Sequence, residues 1–180
     1  VAAGKTYLDV RNALRLFGIT DADLRRLGIR ILKLGMVYPL DPVIVHEFIG
    51  ATAAGRGLDE IIVVEEKRDF IETMMRDILF RRPGVPAIVG KTHEDGSTLF
   101  SRFGELDVDA VTRGLADRLG RHHGIASATR WLDEHTQHRE RINLPLAVRT
   151  PYFCSGCPHN SSTKLPEGSR ALAGIGCHYM

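Results

Sequence analysis

All three cysteines of the chain fall near its carboxy end, in Cys154-Ser-Gly-Cys157-Pro-His159 and in Gly174-Ile175-Gly176-Cys177-His178. Thiolates gathered this way in an otherwise cysteine-free chain hold a metal or do redox chemistry. Three readings compete. In the first, Cys154, Cys157 and Cys177 bind iron of a [4Fe–4S] cluster. Thiolate is the soft ligand such a cluster takes, and the Ser-Gly spacer lets two sulfurs turn toward one cube. In the second, they form a zinc knuckle with His159 or His178 as fourth ligand. In the third, Cys154 and Cys157 are a redox dithiol, although no strand–CxxC–helix unit of the usual kind surrounds them. A cubane or tetrahedral site takes four protein ligands. Three cysteines with no fourth before Met180 predict part of a site within a longer protein.

Weaker candidates surround this motif. His159 precedes Asn160-Ser-Ser-Thr163, which reads either as a surface turn or as a polar turn whose N–H and hydroxyl donors grip a phosphate. Gly174-Ile175-Gly176 has the look of a nucleotide-binding glycine pattern, but a lone G-x-G is weak. Glu65 and Glu66 end a predicted strand at the edge where α/β sheets place sites; the plainer reading is exposed charge leading into a loop. His122-His123 and His135-x-x-His138 are imidazoles with metal-ligand chemistry, yet no thiolate or carboxylate pattern ties them together, and solvated surface is the simpler expectation. Met74-Met75 reads as core packing.

The elements that must position these residues alternate. Lys5 to Phe17 suits a helix with Leu8, Val10, Ala13, Leu14 and Phe17 largely on one face, closed by Gly18. Asp21 to Leu27 suits a second helix capped by Thr20. Ile29 to Leu34 reads as a buried strand. Asp41-Pro42 opens a helix, with Asp41 as cap, Pro42 at the first helical position, and Val43, Phe48 and Ile49 on its inner face. Glu60 to Glu65 is the clearest strand. Asp69 to Phe80 follows as an amphipathic helix, and Val85 to Val89 as a last short strand. This order predicts an α/β layer with a parallel sheet. From Lys91 the texture changes. Leu99, Phe100, Phe103 and Leu106 are set to cover an edge, Asp107 to Leu119 forms an amphipathic helix ended by Gly120 to Gly124, and Ile125 to Glu140 forms a polar helix with Trp131 and Leu132. Residues 141–150 read as an extended connector.

Bulk properties narrow the function classes. The chain has 180 residues, 43% hydrophobic and 26% charged, with a net charge of +2. That composition is ordinary for a globular protein. The small charge, with its arginine pairs dispersed, argues against nucleic-acid binding through phosphate neutralisation. No apolar run approaches the roughly 20 residues of a membrane span, no signal peptide is visible, and three cysteines in one region make no disulfide framework. The expectation is a cytoplasmic protein that binds neither nucleic acid nor membrane.

Several separate strings carry a resemblance to a known family: Gly4-Lys-Thr-Tyr-Leu-Asp-Val10, Leu34-Gly-Met-Val-Tyr-Pro-Leu40, Glu60-Ile-Ile-Val-Val-Glu-Glu-Lys67, Ile71-Glu72 with Arg76-Asp77-Ile78-Leu79, Arg149-Thr-Pro-Tyr-Phe-Cys-Ser-Gly-Cys-Pro-His159, and Pro166-Glu-Gly-Ser-Arg170 with Gly174-Ile-Gly-Cys177. Together they resemble indolepyruvate ferredoxin oxidoreductase, in the long fused form of this 2-oxoacid:ferredoxin oxidoreductase. The resemblance implies a transketolase C-terminal-like α/β domain over 1–90, a helical connector over 91–144, and the start of a thiamine-diphosphate and iron–sulfur domain over 145–180. It implies thiamine diphosphate, Mg2+ and a [4Fe–4S] cluster as cofactors, with Cys154, Cys157 and Cys177 as cluster ligands and His159, Gly174, Ile175 and Gly176 near the coenzyme. It further implies ferredoxin, coenzyme A and an arylpyruvate as partners, in a homo-oligomer. The Gly-Asp-Gly…Asn motif that holds magnesium is absent, and the glutamate that activates the aminopyrimidine belongs upstream of Val1. No catalytic residue is therefore expected within these residues. The rival from another class is a non-enzymatic, zinc-stabilised interaction module.

Overall fold

The computed structural model describes residues 1–50, 57–136, 153–162 and 164–169. The chain divides into two compact units, Val1–Arg139 and Glu140–Met180. The first is α/β.

Its sheet starts at β1 (Ala2–Ala3), and Gly4, in the left-handed region at φ 52°, turns the chain straight into α1 (Gly4–Leu16). A side chain in that conformation would be strained, so glycine is the residue that lets strand meet helix without a linker. The short helix α2 (Asp21–Arg26) is held by a reciprocal cap. Thr20 Oγ1 accepts from the Asp23 amide, and the Asp23 carboxylate accepts from the Thr20 amide; each bond satisfies an N–H that the first turn would leave open. Strand β2 (Lys33–Leu34) pairs parallel with β1. Helix α3 (Pro42–Ile49) begins as its sequence dictates, with Asp41 accepting from the Val43 amide at 2.8 Å and Pro42 in the first turn.

Strand β3 (Glu60–Ile62), helix α4 (Phe70–Ile78) and strand β4 (Ala87–Val89) complete a second parallel pair. The two pairs meet along β1 and β3 through the Ala2↔Val64 bridge and a 2.9 Å bond from the Val64 amide to the Val1 carbonyl. The strand sequence across the layer is thus β2-β1-β3-β4. Thr6 Oγ1, buried in the first turn of α1, lies 2.9 Å from both the Ala3 and the Val64 carbonyls and so pins the helix to both sides of this seam.

Two apolar cores result. One gathers Ala13, Leu14 and Phe17 of α1 with Phe100, Val111, Leu115, Leu119, Trp131 and Leu132. The other packs Ile61 and Val63 against Val45 of α3 and Ile71, Met75 and Leu79 of α4. Helix α5 (Val108–Ala116), capped by Asp107 on the Ala110 amide, runs without a break into a π-helical turn, Asp117–His122, before α6 (Ala126–Thr136). Among the described residues no helix is long and apolar enough to cross a membrane.

The structure departs from the sequence pattern in four places. The strand expected over Ile29–Leu34 shrinks to Lys33–Leu34. Leu8 and Val43, expected inside, are exposed, while Thr6 and Val45 take the inner positions of α1 and α3. Phe103 covers nothing and stands 87% exposed. Gly120, expected to end a helix, lies inside the π-turn, where a Cβ would come within 2.8 Å of the Thr129 amide nitrogen of α6. Its bare Cα permits that close crossing.

Gly114 plays the same part against Phe100: a Cβ would fall 2.3 Å from Cε1 of a ring that is only 1% exposed and has nowhere to retreat. Gly114→Ala gains about 1 kcal/mol of helix propensity but overpacks the core at roughly 1–3 kcal/mol. The expected outcome is a net loss on the order of 1 kcal/mol, read as a lowered urea midpoint with an unchanged slope.

Candidate functional site

The cysteine motif lies in the second unit. Cys154 and Cys157 sit on one tight turn: the Cys157 amide donates to the Cys154 carbonyl at 3.0 Å, and Gly156 takes φ 80°, which a side chain would resist. Asn160 locks the turn from below. Its amide donates to the Cys157 carbonyl and its Nδ2 to the Cys154 carbonyl, each at 3.0 Å. Both cysteines are unpaired thiols, Cys154 exposed and Cys157 half-buried. The His159 ring, opening the short helix α7 (His159–Ser162), packs at 5.3 Å on Phe153. Two accessible thiols offered from one fixed turn are a donor set that suits a soft metal or an iron–sulfur cluster. Cys177, Gly174, Ile175 and Gly176 lie outside the described residues.

At the carboxyl ends of β3 and β4, Glu65 is buried rather than exposed and caps α4. Its carboxylate accepts from the Ile71 amide at 2.7 Å and the Glu72 amide at 3.0 Å. Asp69, at the usual capping position, makes no such bond and instead pairs with Arg102. Glu72, also buried, accepts from the Lys91 amide at 2.9 Å and from Arg76 at 2.7 Å, and Lys91 Nζ donates to the Glu65 carbonyl. A Cβ on Gly90 would meet Glu72 Oε2 at 2.3 Å. Burial pushes the Glu65 carboxyl up, against the pull of its two amide donors, and pushes the Lys91 ammonium down. Beside this knot Lys5 Nζ closes the gap between β1 and β3, reaching Asp9 at 3.1 Å, Glu66 at 3.6 Å and the Leu106 carbonyl at 2.9 Å. The place where a doubly wound sheet puts a ligand is here filled by the protein's own bonds, so Glu65 and Glu66 are structural.

A third cluster surrounds Arg118, which is 2% exposed. It grips Glu60 at the start of β3 through Nε and Nη2, and Glu94 through Nη1 at 3.0 Å and Nη2 at 2.8 Å. Its Nη1 also faces His93 Nδ1 at 3.2 Å and His122 Nε2 at 3.1 Å. A guanidinium only donates, so both imidazole nitrogens accept. His123 Nε2 meets Glu60 Oε2 at 3.0 Å. Burial works against the Arg118 charge, and the two carboxylates outweigh it, raising its pKa. Arg118 in turn holds the Glu94 carboxyl down at about 2. His122 and His123 are exposed, as the sequence predicts, and both also bond into this network. A carboxylate spaced five residues before His122, Asp117, was the available signal. His135 stacks on Trp131 at 4.1 Å, and His138 lies outside the described residues. A cavity of about 1170 Å³ opens at the amino-terminal edge of the sheet, walled by Leu14, Phe17, Ile29, Ile61 and Leu119, and it touches this cluster only through Glu60 and His123.

Comparison with known proteins places the first unit. The model of the family described as "Indolepyruvate oxidoreductase domain" matches residues 1–139, and the chain belongs to that family. It is similar to the indolepyruvate oxidoreductase subunit IorA of Thermococcus kodakarensis, 25% identical over 183 aligned positions that cover 99% of this chain and 25% of that protein. It is also similar to the IorA subunit of Methanothermobacter marburgensis, 27% identical over 161 positions that cover 89% of this chain and 21% of that one. The chain thus spans about a quarter of the length of these relatives. No solved structure matches it.

Two outcomes follow from the carboxylates. Glu65→Ala leaves the Ile71 and Glu72 amides without their acceptor, and the expected cost is about 1–3 kcal/mol in denaturant unfolding. Glu94 has a folded-state pKa below its ordinary 4.5, so its contribution is complete above pH 4.5 and is lost as pH falls toward 2. The stability gap between the parent and Glu94→Gln should shrink across that interval and stay flat from pH 5 to 7.

Proposed function

We propose that this chain is part of an oxidoreductase that oxidatively decarboxylates indolepyruvate and related arylpyruvates, passing electrons to ferredoxin and the acyl group to coenzyme A. The observation that carries this reading is the family match over residues 1–139. The names of both relatives as indolepyruvate oxidoreductase subunits point the same way, and also to a multi-subunit assembly. In this reading residues 1–90 are a transketolase C-terminal-like domain, 91–144 a helical connector and 145–180 the opening of a thiamine-diphosphate domain, in a cytoplasmic enzyme.

The cofactors proposed are thiamine diphosphate with Mg2+ and a [4Fe–4S] cluster. When bound, the coenzyme supplies the carbanion chemistry of decarboxylation and the cluster takes up electrons singly. The chain's own contribution is positional. Cys154 and Cys157 supply two thiolates from a turn that Gly156 and Asn160 hold closed. Cys177 is proposed as the third ligand, with a distant cysteine beyond residue 180 as the fourth. Backbone N–H groups of such glycine-bearing turns tune a cluster's potential. His159 follows Cys157 on the same turn and is proposed, with Gly174, Ile175 and Gly176, to face the coenzyme. The carboxyl-edge knot of the first unit does no chemistry here and serves as scaffold.

Replacing one sulfur in the full-length enzyme tests the ligand assignment. Cys157→Ser should lower iron and acid-labile sulfide per chain and abolish indolepyruvate-dependent ferredoxin reduction, while leaving circular dichroism of the fold unchanged. Unchanged iron and electron transfer would refute it. A colourless protein carrying zinc at the cysteines would support the interaction-module alternative instead.

A further inference from the structure

His122 and His123 gave no metal pattern in the sequence because no carboxylate linked them. The fold supplies one. Asp117 and His122 are five residues apart, which on an α-helix places them about 140° from each other. The segment Asp117–His122 is instead a π-turn, whose i→i+5 closure returns His122 to the side of Asp117; single π-turns inside helices recur at functional sites. His93, from the turn that follows β4, arrives on the same side, its ring stacked on that of His122 at 6.4 Å and 21°.

We propose that His93, Asp117 and His122 form a binding site for a divalent transition metal of the zinc class, separate from the cysteine motif. One ligand atom from each side chain lies within 4.8 Å of the others. His93 Nε2 and Asp117 Oδ2 stand 3.9 Å apart. That is too far for a hydrogen bond and close to the roughly 3.3 Å that separates two ligands sharing a tetrahedral zinc ion. The other carboxylate oxygen of Asp117 accepts from Arg121 Nη1 at 3.1 Å, which orients the group and leaves Oδ2 facing His93. His93 and Asp117 are half-buried and His122 is exposed, so the ion enters from solvent and keeps an open coordination position. Three carboxylates (Glu60, Glu94 and Asp117) stand against two guanidiniums (Arg118 and Arg121), so the neighbourhood carries net negative charge. Two imidazoles and a carboxylate suit zinc, iron or manganese rather than the soft metals that thiolates select.

Arg118 is the competitor. It holds His93 through Nδ1, which leaves Nε2, the nitrogen facing Asp117, for the ion. A metal on His93 Nε2 moves the ring proton to Nδ1, and the contact from Arg118 Nη1 is given up. Arg118 keeps its paired bonds to Glu60 and Glu94, and Glu94 Oε2, 3.0 Å from the same Nη1, is the carboxylate at hand to accept the new Nδ1–H. Carboxylate–histidine–metal arrangements of this kind are the usual support of a bound ion. Hydrogen bonds from Arg118 are exchanged for three metal bonds.

The experiment is Co2+ titration of the whole chelator-stripped chain, followed by visible absorption and metal analysis. The expected result is one equivalent bound with ligand-field bands that carry no thiolate charge-transfer component, distinct from any further equivalent that the cysteines take up with such a band. His93→Gln, whose amide oxygen still accepts from Arg118, and His122→Ala, at an exposed position, should each weaken that equivalent more than about tenfold. Cys154→Ser with Cys157→Ser should leave it unchanged, whatever becomes of the iron. Circular dichroism verifies that each variant is folded. Parent-like Co2+ affinity in both histidine variants, or uptake by the parent with thiolate bands alone, would overturn the proposal.

Discussion

Two buried carboxylates and a buried lysine fix the carboxyl end of this sheet. Glu65 follows β3 and turns back onto the amides that open α4; Glu72, in the first turn of that helix, takes the amide of Lys91 beyond β4; and Lys91 returns its ammonium to the carbonyl of Glu65. A buried charge without partners costs several kcal/mol, and each of these has one: Glu65 the Ile71 and Glu72 amides, Glu72 the Lys91 amide and Arg76, and Lys91 the Glu65 carbonyl. The loop after β3, the start of α4 and the end of β4 are therefore tied to one another. Ile61, Val63, Ile71 and Met75 form the apolar core beneath that frame.

Arg118 does the corresponding work at the other end. Its two carboxylate partners come from the beginning of β3 and from the turn beyond β4, so a helix of the second half of the unit is bonded to strands of the first. The family match ends at residue 139, and the thiols lie beyond it. Family membership and the proposed cluster chemistry thus rest on different residues. The first concerns a scaffold clamped at both edges of its sheet; the second concerns a turn of its own in the separate unit.

Local chemistry was legible in the sequence wherever neighbouring residues decide the outcome. Thr20 with Asp23, and Asp41 with Pro42, start their helices as their side chains require. The apolar spacing of Ile71, Met75 and Leu79 gives α4 its buried face. What stayed hidden depends on partners distant in sequence. Glu65 looks like surface charge because its two donors lie beyond a loop. His122 is exposed as it looks, but its place beside Asp117 stayed hidden because His93 reaches it only after folding and because a helix phased at 3.6 residues per turn points it away from Asp117. Ile29 to Ile31 have strand composition, but pairing with β1 reaches only Lys33 and Leu34. At the cysteines the residue types named the chemistry, and the tightness of the Asn160-locked turn added what spacing could not.

The π-turn carries a further consequence for how this stretch tolerates insertions and deletions. Removing a single residue between Asp117 and His122 would let the segment relax into ordinary α-helix. The phase of the turn's own residues, however, would change, because the wide turn is what absorbs the extra residue. Gly120 would no longer face Thr129, the bare surface on which α6 crosses would be replaced by a side chain, and Arg118 and the imidazoles would part. A shortening that looks harmless to the helix would unseat the partner helix, so length at this point is as constrained as residue identity.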